Sequence, residues 1–264
     1  MENNLWQHIL QVRNTSPLVH SITNYVVMNN TANALLAIGA SPIMAHAKSE
    51  VEDMVNISHS LVVNIGTLDE YWEESMLLAA QKANLLQKPW ILDPVGAGAT
   101  TYRDSVLSKL LSLHPTVIRG NASEIIALAK TNNTTTKGAD STAQSDEAIE
   151  AAKTLVHNYN SVVCISGETD IVISNSQIIY LKNGHPMMPK VTGLGCTASA
   201  LIGAFIGVIE NKTEGVVSAM SLIGIAGELA AEKSTGPGSL QFNLIDRLYN
   251  LTEEEFNTHL KLIE

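Results

Sequence analysis

The chain is poor in cysteine, since only Cys164 and Cys196 occur among its 264 residues. Two thiols do not make the disulfide framework that stabilises many secreted proteins, and they fit a reducing cytosol. The N-terminus also lacks a basic region followed by an apolar stretch, the pattern of a secretory signal. We therefore predict a cytoplasmic protein.

Basic residues and long apolar runs are also scarce. The sequence has 16 Lys and Arg residues against 26 Asp and Glu residues, a net charge of −10, which argues against a nucleic-acid groove or a basic membrane-binding face. This balance is still compatible with a phosphate site, because such a site is local. The longest apolar run, 198–209, is too short to cross a bilayer and is typical of a buried helix. We expect neither nucleic acid nor a membrane as a partner.

Aromatic residues make up 5% and charged residues 16% of the chain, a composition that favours a layered α/β protein over an all-β one. Short apolar strand candidates, such as 60–66 and 89–93, alternate with helices of ten or more residues. This rhythm predicts a mainly parallel sheet covered by helices on both faces. No internal repeat is found, and residues 1–264 are predicted to form one domain.

Further elements follow from periodicity and turn residues. The stretch 131–146 is polar and has no apolar period, so we predict a surface loop there. Ser49, with Glu52 three residues later, indicates a capped helix start. The other predicted elements are a helix over 5–13, a helix within 24–40 that ends at Gly39, a short strand at 41–45, a helix at 102–113, three short strands between 161 and 184, apolar helices at roughly 195–210 and 215–233, and a closing amphipathic helix.

The sharpest motif is Gly193-Leu194-Gly195-Cys196, a glycine turn that opens onto a helix of small residues. Glycines allow positive φ angles and close backbone approach, so that several N–H groups point at one anion. The helix N-terminus adds partial positive charge, and the same field is expected to lower the pKa of Cys196. A tight turn into a buried helix, with Cys196 packed as a small apolar residue, explains the pattern equally well.

Polar residues end the predicted strands, and each has two interpretations. Asp93 ends the strand "WILD" and either caps the next helix or faces Mg²⁺ at the rim of the sheet. Arg119 suits a phosphate and Glu124 suits Mg²⁺, as phosphoryl transfer requires, although Asn121 and Glu124 also form a helix-capping pattern. Ser166 ends "VVCIS" and either contacts a phosphate or only makes a turn.

Several common site motifs are missing. No Gly-Lys-Ser/Thr follows the glycine turn, which excludes a P-loop, and the turn lies too late in the chain for a dinucleotide fingerprint. The eight histidines lack zinc spacing. The hydrolase pattern Gly-x-Ser-x-Gly is absent.

Four stretches together resemble the ribokinase-like superfamily and, within it, the hydroxyethylthiazole kinases of thiamine salvage. They are "VHSITNYVVMNNTANALLAIGASPIMAHA", "ILDPVGAGAT", "IRGNASEI" and "VTGLGCTASAL", and the similarity runs from end to end. The resemblance implies a three-layer α/β sandwich, and a kinase that uses ATP and Mg²⁺ to phosphorylate the primary alcohol of 5-(2-hydroxyethyl)-4-methylthiazole. It also implies a homotrimer with active sites between subunits.

The resemblance assigns a role to each motif. The superfamily carries a Gly-x-Gly-Asp turn whose Asp activates the substrate hydroxyl, and Cys196 takes that position, a replacement known in the thiazole kinase branch. Cys196 is then a weak base or a positioning group, not a covalent nucleophile. The other implied positions are Gly193, Gly195 and Cys196 for the anion hole, Arg119 and Ser166 for ATP, Asp93 and Glu124 for the metal, and Met44, Gly193 and Asn24 for the thiazole alcohol.

Three alternatives stay open at this point. A thiol hydrolase or acyl transferase with Cys196 as nucleophile would need neither ATP nor Mg²⁺. A regulator on the same fold would bind ATP without turnover. A related kinase would act on a different small alcohol, such as a pyrimidine or a sugar, although the proposed pocket segment has few polar residues to bind a sugar.

Overall fold

The computed structural model describes residues 2–130 and 141–263 of the chain. Within them, nine strands form one sheet, in the order β2-β1-β3-β4-β5-β6-β7-β8-β9. The strands are β1 Leu18–Ile22, β2 Ser41–Ile43, β3 Ser60–Asn64, β4 Trp90–Asp93, β5 Val117–Asn121, β6 Val162–Ser166, β7 Asp170–Ile173, β8 Ile178–Leu181 and β9 Leu262–Ile263. Strands β1 to β6 pair in parallel, and β7, β8 and β9 join antiparallel.

Helices cover both faces of this sheet. They are α1 Glu2–Thr15, α2 Met28–Ala37, α3 Val51–Ile57, α4 Glu70–Leu85, α5 Thr101–Leu111, α6 Ala122–Lys130, α7 Ser141–Tyr159, α8 Leu194–Ile206, α9 Lys212–Ala231, α10 Pro237–Asn250 and α11 Glu253–His259. One core cluster joins the sheet to α1, α2, α8, α9 and α10. A second cluster joins the opposite face to α3, α4, α5, α6 and α7. The predicted three-layer α/β sandwich is confirmed.

The strands read as continuous apolar runs because successive side chains enter different cores. Val62 packs in the first cluster, whereas Leu61 and Val63 on either side of it pack in the second. Helix α8 approaches this sheet closely at Gly203, where an added Cβ would lie 2.5 Å from Val62 Cγ2. The small residues predicted to form a buried helix therefore let α8 pack directly on the sheet.

Helix α9 is long and apolar enough to cross a membrane by length and composition. In the structure, 89% of the 18-residue apolar stretch of this helix is buried. The helix packs against α8, α10 and strands β6 to β8. The helix therefore serves as a core element of the fold.

Some predicted boundaries differ from the structure. Helix α3 begins at Val51 with Glu50 at the N-cap and no side-chain cap, so the predicted Ser49 cap is wrong. Helix α2 begins only at Met28, because residues 25–27 form a turn. Of the predicted loop 131–146, residues 131–140 lie outside the described residues and 141–146 belong to α7, so that the loop prediction is wrong there.

Candidate active site

The carboxyl ends of the parallel strands bring five polar residues to one edge of the sheet. Asn24 follows β1, Asn64 and Asp93 end β3 and β4 as directly paired residues, and Asn121 and Ser166 end β5 and β6, also as a pair. Parallel α/β sheets bind ligands beyond this edge. Sequence positions far apart thus meet along a single rim.

The N-terminus of α8 points at this rim. Gly193 is its N-cap residue with φ of 81°, a left-handed conformation that favours glycine, and an added Cβ would lie 2.4 Å from Val27 Cγ1. Among residues 2–130 and 141–263, no side chain caps the helix. The first-turn N–H groups at Leu194, Gly195 and Cys196 are therefore available to an anion.

Arg119 lies against this helix end. Its Nη2 donates to Ser166 Oγ at 2.7 Å, and a Cβ at position 195 would lie 2.7 Å from its Nη1, so that any larger residue there would displace the guanidinium. Arg119 Nε is buried and has no hydrogen-bond partner within residues 2–130 and 141–263. The guanidinium thus combines with the α8 N-terminus as one positively charged corner.

A cavity of about 830 Å³ opens beside that corner. It extends from the ends of β5 and β6 past β7 to the segment after β8, and its wall on the helix side comes from α8 and α9. Residues that line it include Arg119, Ser166, Asp170, His185, Gly195 and Ile223. The cavity therefore contains both predicted ATP-binding residues and two glycines of the predicted anion hole, Gly193 and Gly195.

Cys196 lies on the other side of the α8 N-terminus, in a hydrogen-bonded network. Asn24 Nδ2 donates to Cys196 Sγ at 3.4 Å and to Asn64 Oδ1 at 2.9 Å. Asn64 Nδ2 in turn donates to Asp93 Oδ2 at 2.7 Å, which also accepts from Ser199 Oγ at 2.8 Å. A buried carboxylate is thus connected to the thiol through two amides.

This environment does not lower the pKa of Cys196. Burial raises the pKa of the thiol, and the Asp93 carboxylate raises it further, whereas the amides of Asn64 and Asn24 and the Arg119 guanidinium act in the opposite direction. The sequence-based expectation of a lowered pKa is wrong, because burial and a neighbouring carboxylate outweigh the helix terminus. The resting thiol is protonated at neutral pH.

The two predicted metal-side carboxylates are both engaged. Glu124 Oε2 accepts from Asn121 N at 2.9 Å and Asn121 Oδ1 accepts from Glu124 N at 2.9 Å, which confirms the capping interpretation of this turn. Glu124 Oε1 accepts from Gly96 N at 3.0 Å. Asp93 is 1% exposed and does not cap α5, whose N-cap is Thr100. Asn64 and Ser199 hold the Asp93 carboxylate inside the fold, and its assignment to Mg²⁺ stays a prediction.

The donor set at this point fits Mg²⁺. The ion prefers hard oxygen ligands and is usually held by one or two carboxylates together with substrate phosphates. Asp93 and Glu124 are near enough for Glu124 to raise the pKa of Asp93, a smaller effect than that of burial. A cation between two carboxylates would relieve this repulsion.

Met44 is the remaining side chain that the sequence predicts at the substrate site. Met44 follows the edge strand β2 and is half-buried, and its carbonyl accepts from His46 Nδ1 at 3.3 Å. It shares the rim with Asn24, but it lies away from the cavity at β5 to β8. The structure thus brings Arg119, Ser166 and the α8 glycines together, and separately joins Asn24 to Cys196 and Asp93.

Sequence reasoning missed four residues of this region. Asn64 ends an apolar strand as Asp93 does, and that signal could have identified it. Ser199 lies one turn into an apolar helix, where nothing in the sequence distinguishes it. Arg103 donates to the carbonyls of residues 65, 66 and 95 at 2.6 to 2.8 Å and holds two rim loops together. Asp170 accepts from Gly167 N at 3.0 Å inside the cavity.

Known structures with the same fold place the chain among the ribokinase-like kinases. The pyridoxal kinase of Bacillus subtilis has a TM-score of 0.60 and 17% identity, over 80% of this chain and 91% of that one. A hydroxyethylthiazole kinase structure from Pyrococcus horikoshii has a TM-score of 0.92 and 41% identity, over 99% of this chain and 98% of that one.

The sequence relatives narrow this class. A model described as the hydroxyethylthiazole kinase family matches residues 9–254. Proteins named hydroxyethylthiazole kinase from Syntrophus aciditrophicus and Vibrio atlanticus are 54% and 52% identical, over 98% and 97% of this chain and 97% of each relative. The chain belongs to the hydroxyethylthiazole kinase family and is a phosphotransferase.

Proposed function

We propose that the protein transfers the γ-phosphoryl group of ATP to the primary alcohol of 5-(2-hydroxyethyl)-4-methylthiazole, with Mg²⁺ as the metal. The observation that carries this proposal is the uncapped N-terminus of α8, which stands between the Arg119–Ser166 pair and the Cys196 network. A phosphoryl group held by those N–H groups has a cation on one side and a proton-accepting side chain on the other. That is the arrangement that transfer from ATP to an alcohol requires.

ATP fits the cavity with its phosphates at the α8 corner. Arg119 and Ser166 lie at the end where β5 and β6 finish, and the apolar wall of α9 lies towards β8. Three strand spacings separate β5 from β8, about 14 Å, which is enough for a nucleotide lying along the strand ends. Arg119, whose Nε lacks a partner in the part of the chain that the structure describes, then neutralises charge on the phosphate oxygens.

The chain's own residues position the reaction. In the proposed step, the alcohol oxygen attacks the γ-phosphorus, the bond to the β,γ-bridging oxygen breaks, and ADP leaves. The thiolate form of Cys196, a minor fraction beside the protonated resting thiol, accepts a hydrogen bond from the alcohol and takes its proton as the oxygen–phosphorus bond forms. The loose transition state of phosphoryl transfer makes a strong base unnecessary, so this small thiolate fraction is sufficient although burial raises the pKa of the thiol. Asp93 and Glu124 would hold the Mg²⁺ ion, which when bound supplies neutralisation of phosphate charge.

The thiazole is proposed to bind beside Asn24 and Met44, with the backbone of Gly193 near its alcohol. This region also carries Tyr25 and Val26, apolar residues that are 59% and 67% exposed. Such exposure at a binding region fits coverage by another subunit, and it supports the proposed homotrimer with active sites between subunits. A cytoplasmic location and a single domain over residues 1–264 complete the proposal.

One observation disfavours a thiol hydrolase. The groups that shift the pKa of Cys196 belong to residues 24, 64, 93 and 119, and none of these is a histidine that could activate a nucleophile. A regulator would bind ATP without turnover, and a kinase for another small alcohol would show no turnover that depends on this thiazole. The turnover test below therefore separates both alternatives from the proposal.

The test is ADP formation from ATP and Mg²⁺ with and without 5-(2-hydroxyethyl)-4-methylthiazole, for the parent protein, Cys196→Ala and Cys196→Asp. We expect thiazole-dependent turnover that falls at least tenfold in Cys196→Ala, in keeping with a general base worth roughly 10²–10⁴ in rate, and that persists in Cys196→Asp. A parent protein without thiazole-dependent turnover would contradict the substrate, and unchanged turnover in Cys196→Ala would contradict the role of the thiol.

A further inference from the structure

The amide network beside Cys196 has a direction that the backbone fixes. Asn64 Oδ1 accepts from the backbone N–H of Gly66 at 3.0 Å. A backbone N–H is always a donor, so the oxygen of this side-chain amide must face residue 66. The Asn64 NH₂ group therefore faces the other way, and there it meets Asp93 Oδ2 at 2.7 Å.

The orientation of Asn24 follows from that of Asn64. Because Asn64 presents its oxygen, Asn24 must turn its own NH₂ group towards it, at 2.9 Å. The second hydrogen of the same NH₂ group is then directed at Cys196 Sγ, at 3.4 Å. With its amide reversed, Asn24 would place an oxygen against another oxygen and would offer the sulfur an acceptor in place of a donor.

The space around these amides is closed. Asn24 and Asn64 are 5% and 1% exposed, so water does not readily replace their partners. A Cβ at position 66 would lie 2.7 Å from Asn24 Nδ2, which means that only glycine leaves room for this side chain. The two amides are thus held in one orientation by packing as well as by hydrogen bonds.

We propose that Asn64 is a positioning residue for the phosphoryl transfer, which keeps the N–H of Asn24 directed at Cys196 Sγ and so stabilises the thiolate that takes the alcohol proton. The Asn64 amide lies near enough to Cys196 to act on the pKa of the thiol directly, in the lowering direction, and it also fixes the orientation of Asn24, the donor to Sγ. The inference rests on the proposed role of Cys196, and it adds the reason why a buried thiol beside a carboxylate can lose its proton and become the thiolate.

The test is a double-mutant cycle of Asn64→Leu with Cys196→Ala, read as kcat and the KM for ATP. Leucine keeps the approximate volume and removes both polar groups. In the presence of Cys196 we expect kcat to fall on the order of tenfold, the size of one hydrogen bond to a charged group, with little change in the KM for ATP. In the Cys196→Ala background the same substitution is expected to have almost no effect on kcat.

The matched control is Asn84→Leu. Asn84 donates to Leu113 O and accepts from Trp90 Nε1 at 3.0 Å, so it also makes two kinds of hydrogen bond, but at the amino end of β4, away from the rim. Equal losses of kcat from Asn64→Leu in both backgrounds would overturn the inference, because a merely structural role does not depend on the thiol. Where Asn64→Leu does not fold, Asn64→Ala also removes the side-chain acceptor for Asn24 and is compared in the same two backgrounds.

A second readout does not depend on kinase activity. Cys164 is fully buried, so iodoacetamide in the native protein reports on Cys196 alone, as resolved by peptide mass spectrometry. Asn64→Leu is expected to slow this alkylation several-fold, because the thiolate is the reactive form. An unchanged alkylation rate would overturn the inference. Since this rate is measured without ATP, it separates failure of the inference from failure of the proposed function.

Discussion

The two halves of the rim differ in how far their polar groups are already partnered. At β1 to β4, Asn24, Asn64 and Asp93 are buried and hydrogen-bonded to one another. At β5 to β8, Arg119 keeps an Nε that has no partner among the described residues, beside an open cavity, and no side chain in the described ranges caps the α8 N-terminus. The closed half fixes geometry before any ligand arrives, whereas the open half has positive groups available to an anion.

The largest expected effect comes from removing the charge of the open half. Arg119→Ala should lower kcat/KM for ATP on the order of 10³-fold, as removal of an arginine that neutralises a transferring phosphoryl group does. Steady-state kinetics with varied ATP measures this loss. Arg247→Ala is the control, because Arg247 pairs with Glu255 at 3.2 Å in the C-terminal helices. A loss below tenfold would contradict the assignment of Arg119 to the phosphates.

A smaller effect is expected from distorting the same corner without changing its charge. In Gly195→Ala, the new Cβ would come 2.7 Å from Arg119 Nη1, so the guanidinium must move away from the helix N-terminus. We expect kcat to fall roughly 10²-fold, comparable to the loss of one anion-hole donor. In Gly238→Ala nothing lies within 4 Å of the added Cβ, and kcat should stay unchanged. Similar activity in the two variants would show that the corner tolerates displacement of Arg119.

The smallest expected effect concerns Asp170, in the open half of the rim, and is measured as the stability of the folded protein at different pH values. Burial raises the pKa of Asp170 to about 6 from 3.8, while the Gly167 N–H and Arg119 lower it. Because the folded-state pKa is the higher one, the folded state binds the proton more tightly, and stability falls as the pH rises from about 4 to about 6. Asp170→Asn keeps an acceptor for Gly167 and removes this loss, so it should stabilise the protein at pH 7 by up to roughly 3 kcal/mol.

Urea unfolding at several pH values between 4 and 8 measures this difference. The gain from Asp170→Asn should shrink as the pH falls below 6 and vanish near pH 4. Asp246→Asn on the exposed face of α10 serves as the control for removal of a carboxylate. A gain independent of pH would mean that the effect comes from packing and not from ionisation.

The sequence alone predicts the strands and helices whose apolar pattern is unbroken, such as β3, β4, α8 and α9. It does not predict β1, because His20 and Ser21 interrupt the apolar run although both are fully buried. Their burial results from the neighbouring strands on both sides and from the helices above them, which a local pattern does not contain. Periodicity also missed the start of α7, whose first turns are polar.

The candidate site shows the same limit. Arg119 and Ser166 stand at strand ends, and parallel topology alone predicts that they meet. The contact between Asn24 and Cys196 depends on how α8 lies across β1, and the direction of the pKa shift of Cys196 depends on burial and on Asp93. Those are properties of tertiary packing, which spacing along the chain does not encode.

The sequence distance between the two ends of the amide network has a consequence for folding. Asn24 and Cys196 are 172 residues apart, and the strands that align them pair in parallel, so each pairing requires a long crossover connection. Contacts of such high sequence separation form slowly, because the loop entropy is lost before the contacts compensate for it. During refolding, secondary structure should therefore return well before the reactivity of Cys196 does. A chain released from synthesis before α8 would contain most of the strands of the sheet but would lack Cys196 and the helix that carries it.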